Sequence, residues 1–226
     1  MADPALYRLL AWLSPAYPVG AFGYSHGLEW AIEEGSVRDA ESLRAWLIDI
    51  LRHGGGRNDA VLFAQAYRAA VSNDQVALGE IVELALALSP SRERRLETTA
   101  QGNAFLKATR AAWACTALDR LASAAPGAVP YPVAVAVAAA GHGIALEPAL
   151  AAYLQAFMAN LISAGVRLVP LGQTAGLRVL AALETEVAAV AAAANAAPLD
   201  AVGGAAIRAD LASMRHETQH TRLFRS

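Results

Sequence analysis

An all-α domain is the architecture this sequence predicts, and three observations predict it. Apolar residues recur at helical spacing along most of the chain. Alanine supplies much of an apolar fraction of 56%. No alternating strand pattern bounded by turn signals runs for any useful length. A chain of 226 residues can bury roughly 70–75% of its unfolded surface, so one self-sufficient core needs no covalent staples. About ten helices in a single bundle-like domain accommodate the pattern.

In order, the chain predicts helices over Pro4–Leu13 and Ser25–Glu34, then a clear one over Asp39–Gly54. There Leu43, Trp46, Leu47, Ile50 and Leu51 fall on one stripe, with Asp39 as N-cap and Gly54 as stop. Gly54-Gly-Gly56 reads as a C-cap and linker. Helices follow over Asp59–Val71, Asn73–Leu88 and Ser91–Ser123, the last opening on the charged run Ser91-Arg-Glu-Arg-Arg-Leu-Glu97, read as a solvated face with intrahelical pairs. The alternation Val133-Ala-Val-Ala-Val137 sits in a predicted buried helix over Pro132–Gly141. Glu147-Pro148 opens a helix that sets Leu150, Leu154, Phe157, Met158 and Leu161 on one face before Gly165. Thr174–Asn195, with Thr174 as N-cap, and Leu199–Met214 complete the set.

Charge and cysteine content narrow the function classes. Eighteen Lys and Arg stand against 20 Asp and Glu, a net charge of -2, which excludes a dedicated nucleic-acid binder. A single cysteine, Cys115, excludes a disulfide framework and fits a reducing, cytoplasmic setting. Asp3 and Arg8 break the first apolar run, so Met1–Leu13 is not a leader. The stretches Val133–Leu146 and Val179–Ala197 are too short or too charged to span a membrane. With only 17% charged residues, some apolar surface is expected to face a partner or a second copy of the chain.

Three segments do not read as ordinary helix packing. Ser14–Glu29 is a Pro/Gly loop carrying Tyr17, Phe22 and Tyr24. Arg167-Leu-Val-Pro-Leu-Gly-Gln-Thr-Ala-Gly176 is a turn between long helices. Arg215–Ser226 is polar and arginine-bearing and ends near Leu223-Phe224, the composition of a flexible docking tail. These observations divide the chain into a body, 1–214, and a tail, 215–226. The tail also spells His216-Glu-Thr-Gln-His220. On a helix that string would place His216 and His220 on one face for zinc with Glu217 as base, the alternative reading of a metallopeptidase. No third ligand follows it, and there is no phosphate-binding loop or dinucleotide fingerprint. Cys115 reads as a small buried hydrophobe, His142 as a hydrogen-bonding residue at a helix end. No catalytic residue and no cofactor are expected. A generic helical adaptor is the other alternative.

The three irregular segments carry a likeness. Pro18-Val-Gly-Ala-Phe-Gly-Tyr-Ser-His-Gly-Leu-Glu29, Arg167-Leu-Val-Pro-Leu-Gly-Gln-Thr174 and His216-Glu-Thr-Gln-His-Thr-Arg-Leu-Phe-Arg-Ser226, in that order and spacing, resemble the urease accessory protein UreF family. Two departures stand out: Ala21 replaces a usual glycine, and His220-Thr221 a usual Tyr-Ser pair. The resemblance implies an all-α, homodimeric, non-enzymatic maturation factor. Its partners would be UreD (UreH in some systems), the nickel-carrying GTPase UreG and apo-urease. It implies partner-binding roles for Phe22, Tyr24, His26 and Glu29 in the first block, Arg167 and Gln173 in the second, and Arg222, Leu223 and Phe224 in the third. In this reading the tail orders only on contact with UreD, with Leu223 and Phe224 entering the partner's pockets.

Overall fold

The computed structural model describes residues 3–226; residues 1 and 2, the start of the predicted body, lie outside them. Twelve α-helices and no strand occur among the described residues. The chain enters at α1 (Pro4–Trp12), where Asp3 accepts a hydrogen bond from the Ala5 amide at 2.9 Å. It then crosses the Pro/Gly loop to the short α2 (Leu28–Glu33). α3 (Ala40–His53) has the predicted stripe and cap: Asp39 and Ser42 form a reciprocal capping box, and Leu43, Trp46, Leu47, Ile50 and Leu51 are all buried. α4 (Gly55–Ser72) follows directly, so the triple glycine both ends one helix and begins the next. α5 (Gln75–Ala87) and α6 (Arg92–Ala112) start at side-chain caps from Asp74 and Ser91.

The predicted helix over Ser91–Ser123 is broken. Trp113 leaves the helix to meet the Trp12 ring edge-on at 6.1 Å, and α7 (Thr116–Ala124) restarts in a direction that turns Leu118 and Leu121 inward. Cys115 therefore stands at a helix start rather than inside one. α8 (Tyr131–Gly141) is the centre of the core. Every residue from Pro132 to Ala139 is buried, and it packs against α4, α6 and α7. Its seam with α6 requires glycine at 102, where an added Cβ would lie 2.0 Å from the Val129 carbonyl oxygen. His142 caps α8 and its Nε2 lies 3.0 Å from the Trp113 carbonyl oxygen, as read from the sequence.

α9 (Leu146–Leu168) runs past Gly165, which abuts Leu43 of α3 instead of stopping the helix. α9 is long and apolar enough to cross a membrane by length and composition, and half of that stretch is buried within the fold. The predicted helix over Thr174–Asn195 is two: α10 (Gln173–Ala182), which Gly172 rather than Thr174 precedes, and α11 (Glu184–Ala196). Leu183 separates them by turning completely into the core. Past a 3₁₀ turn at Leu199–Ala201, Asn58 holds the extended Gly203-Gly204 segment through both amides and the Gly204 carbonyl. Only then does α12 (Ile207–His216) begin, eight residues later than the sequence pattern suggests. It lies across α2 and the start of α6.

Candidate functional site

The end of the chain is not a tail that stands off the body. After α12, residues 217–226 lie as a strap in a bed made by the Gly20–Gly27 loop, α2 and the first two turns of α6. The reason is a row of carboxylates, Glu29 and Glu97 buried and Glu93 half-buried, that the strap's donors satisfy. Glu29, on α2, accepts the Leu223 amide at 2.6 Å and the Phe224 amide at 2.9 Å. Glu93, on α6, accepts from Arg222 at 2.6 Å. Glu97, one turn on, accepts the Ser226 hydroxyl at 2.7 Å. The loop closes the other side, where the Arg225 amide donates to the Gly23 carbonyl and the Ser25 amide to the Ser226 carbonyl, both at 2.8 Å. Such charge-assisted bonds in a sheltered site are stronger than neutral ones.

His216 joins the bed from α12. Its Nδ1 lies 2.6 Å from Glu93 and its Nε2 3.1 Å from Glu29, and the ring is wholly buried. α12 can come this close to α2 because Gly27, in the left-handed region at φ +75°, leaves no Cβ; one would lie 2.5 Å from the Ser213 amide nitrogen. Glu217 completes the junction by accepting the amides of Arg92 and Glu93 at the N-terminus of α6, where the helix dipole favours an anion.

Beside the strap is a cavity of about 280 Å³ with an apolar rim and a charged floor. On that floor Arg94 pairs with Glu97 and donates to His26 Nδ1 at 2.6 Å. Burial, then Arg94, push His26 down to about 4, so the ring is neutral at physiological pH. A guanidinium only donates, so Nδ1 is the acceptor and Nε2 carries the hydrogen. Among the described residues no polar atom reaches that Nε2. Burial opposes the Glu97 charge, but the Arg94 guanidinium and the Ser226 hydroxyl outweigh it and hold the carboxyl at about 2. Asp59 goes the other way: burial raises it to about 6, while the Tyr153 hydroxyl donates to it at 2.8 Å.

The expected site residues separate under this geometry. Phe224, expected to enter a partner's pocket, is 4% exposed inside its own chain, under the Arg167 guanidinium at 4.4 Å from its ring centroid. Arg167 also donates to the Phe22 carbonyl, tying loop to strap. Tyr24, His26 and Glu29, expected to present outward, are buried, whereas Phe22 and Leu223 are 69% and 66% exposed. Arg222 is exposed while paired to Glu93, and Gln173 is exposed on the first turn of α10. His216 and His220 do not share a helix face, because α12 ends at His216 and His220 lies exposed in the turn beyond. No group of three or more His, Cys, Asp or Glu able to hold a metal ion occurs among the described residues.

Glu93, Arg94 and Glu97 were missed as site residues because a charged run reads as a solvated face. The available signal is their register. Glu97 precedes Gln101, Phe105 and Thr109 at steps of four, and all four are buried on one stripe of α6. A carboxylate in phase with a core phenylalanine is a buried one.

Comparison with known proteins agrees with this architecture. The UreF family model matches residues 37–184. The urease accessory protein UreF of Methylobacterium radiotolerans is 59% identical over 219 residues, spanning 97% of this chain and 96% of the relative. The proteins of the same description from Rhodopseudomonas palustris strain HaA2 and Methylorubrum populi are 58% and 56% identical, over 98% and 97% of this chain and 94% and 98% of their own lengths. With a family model matched over more than half its length and likeness running nearly end to end, this chain belongs to the UreF family.

Proposed function

We propose that this chain is a urease maturation factor: a cytoplasmic, homodimeric, non-enzymatic adaptor that bridges UreD and the GTPase UreG while nickel is inserted into apo-urease. The observation that carries the reading is its likeness, almost end to end, to proteins described as urease accessory proteins. The geometry supports an adaptor. Ile207, Leu211 and Met214 line α12 at helical spacing and are exposed, as are Leu223 on the strap and Phe22 on the loop. Exposed arginines stand on the same segments, Arg215 on α12 and Arg222 and Arg225 on the strap, the mixture that interface anchors favour. In this arrangement Leu223, Phe22 and the α12 stripe are the partner's contacts, and Phe224, Tyr24, His26 and Glu29 position them from beneath.

The test is co-purification with UreD and UreG followed by urease activation, using Leu211→Asp and Leu223→Asp chains whose own folding is checked by circular dichroism. At least tenfold weaker UreD capture and a matching loss of activation are expected. Full activation by both variants would place the contact elsewhere, and full activation of urease in cells lacking this chain would overturn the reading.

A further inference from the structure

The strap and the cavity share one carboxylate. Glu97 Oε2 takes the Ser226 hydroxyl, while Oε1 lies 3.0 Å from Gln101 Nε2 and 3.1 Å from His26 Nδ1. The cavity wall is tied to the strap a second time. Ala21, Phe22 and His26 all line the cavity, and they belong to the loop whose Gly23 carbonyl and Ser25 amide are held by Arg225 and Ser226. We propose that residues 217–226 act as a gate on this part-open cavity: docked, they fix its Glu97 wall and the Gly20–Gly27 loop and keep its mouth narrow, and released, they widen it to solvent.

Three features of the loop fit a gate rather than a fixed wall. It is bounded by left-handed glycines, Gly20 at φ +73° and Gly27 at φ +75°, which absorb a change of direction at little steric cost. His26 is left-handed too, at φ +58°, a conformation that costs a non-glycine residue free energy and persists only while its surroundings impose it. Those surroundings are Arg94 and Glu97 from α6, the Phe157 ring of α9 at 4.7 Å, and, across the cavity floor, Asp59 of α4. Finally, the His26 Nε2–H has no acceptor among the described residues, so hydration of the opened floor removes the cost of a buried unsatisfied donor. Release of the strap frees Glu97 from Ser226 and the loop from Arg225 and Ser226, so the loop can turn, the strain at His26 relax and its donor meet solvent. The coupling lies within the chain and holds whichever molecule takes the strap.

The experiment uses the full chain and its Phe224→Ala variant, reading two signals by nuclear magnetic resonance. Exchange of the Ser25 amide, which donates to Ser226, reports the strap. The pH titration of the His26 ring reports the cavity. In the parent the ring titrates at about 4, with burial as the largest cause. In Phe224→Ala, Ser25 exchange at least tenfold faster and a His26 midpoint at least one pH unit higher are expected, with the α8 amides as protected as before. Faster Ser25 exchange with His26 unmoved would show that the cavity ignores the strap, and unchanged exchange would show that Phe224 does not fasten it; either overturns the proposal. Should Phe224→Ala loosen α8, Arg225→Pro removes the N–H given to Gly23 and carries the same two expectations, with Arg225→Ala as the control for loss of the exposed side chain.

Discussion

Phe63 and Phe224 are the same side chain, both withdrawn from water, held in opposite ways. Phe63 sits mid-helix in α4, with the Tyr153 ring 5.4 Å away and alanines and valines of the core around it. Its neighbours hold it by shape, and the polar backbone there is satisfied within helices. Phe224 lies in a segment without helix, its amide on a carboxylate and its ring under a guanidinium. The first region is stable because close-packed apolar surface is out of water, the second because charged groups meet their partners. A core of the first kind responds to volume, and a strap of the second kind responds to charge and pH.

That contrast can be broken most directly at the core. Phe63→Ala is expected to cost about 3–5 kcal/mol of global stability in urea unfolding. A cost below about 1 kcal/mol would mean the α4 region is not packed as described. At the strap, Glu97→Gln leaves Arg94 buried without its counter-charge and is expected to cost about 3 kcal/mol at pH 7. This cost is pH-dependent in a definite direction. Glu97 is held at about 2 in the fold against an ordinary 4.5, so its contribution is complete above pH 4.5 and disappears as pH falls toward 2. Parent and variant curves should therefore converge in acid, and parallel curves would contradict the buried pair.

Asp59 sharpens the same point with the reverse sign. Its carboxyl is raised from 3.8 to about 6, so the fold holds that proton more tightly than the unfolded chain and loses stability as pH rises between those values. Asp59→Asn keeps an acceptor for Tyr153 and is expected to stabilise the protein by about 2–3 kcal/mol at pH 8 and by nothing at pH 3. Equal effects at both pH values would refute it. The smallest effect belongs to Leu223→Asp, which changes an exposed side chain and should leave stability within about 0.5 kcal/mol. A larger loss in the isolated chain would place Leu223 inside the strap's own anchorage.

Much of this was readable beforehand where the physics is local. The α3 stripe, the Asp39 cap, the buried valine helix and the His142 helix end all follow from interactions a few residues apart. The misreadings share one cause. Helix breaks at Trp113 and Leu183 occur in helix-favouring sequence, because each side chain gains more by turning into the core than the helix gains by continuing. Glu93, Arg94 and Glu97 look like a solvated helix start until the strap is laid over them.

By itself the sequence determined that the molecule is helical, where most helices run, and which three segments are out of the ordinary. Periodicity, caps and prolines act between residues i and i+4, so one chain read in order displays them. Only the tertiary structure decided that the arginine-bearing end is seated on its own body, and that Phe224 is an anchor turned inward while Leu223 faces out. The Leu223 amide meets a carboxylate 194 positions away, and the Phe224 amide meets the same group. An acceptor that distant leaves no imprint on the segment it holds, because a peptide rich in donors reads alike whether a partner or its own fold supplies the carboxylates.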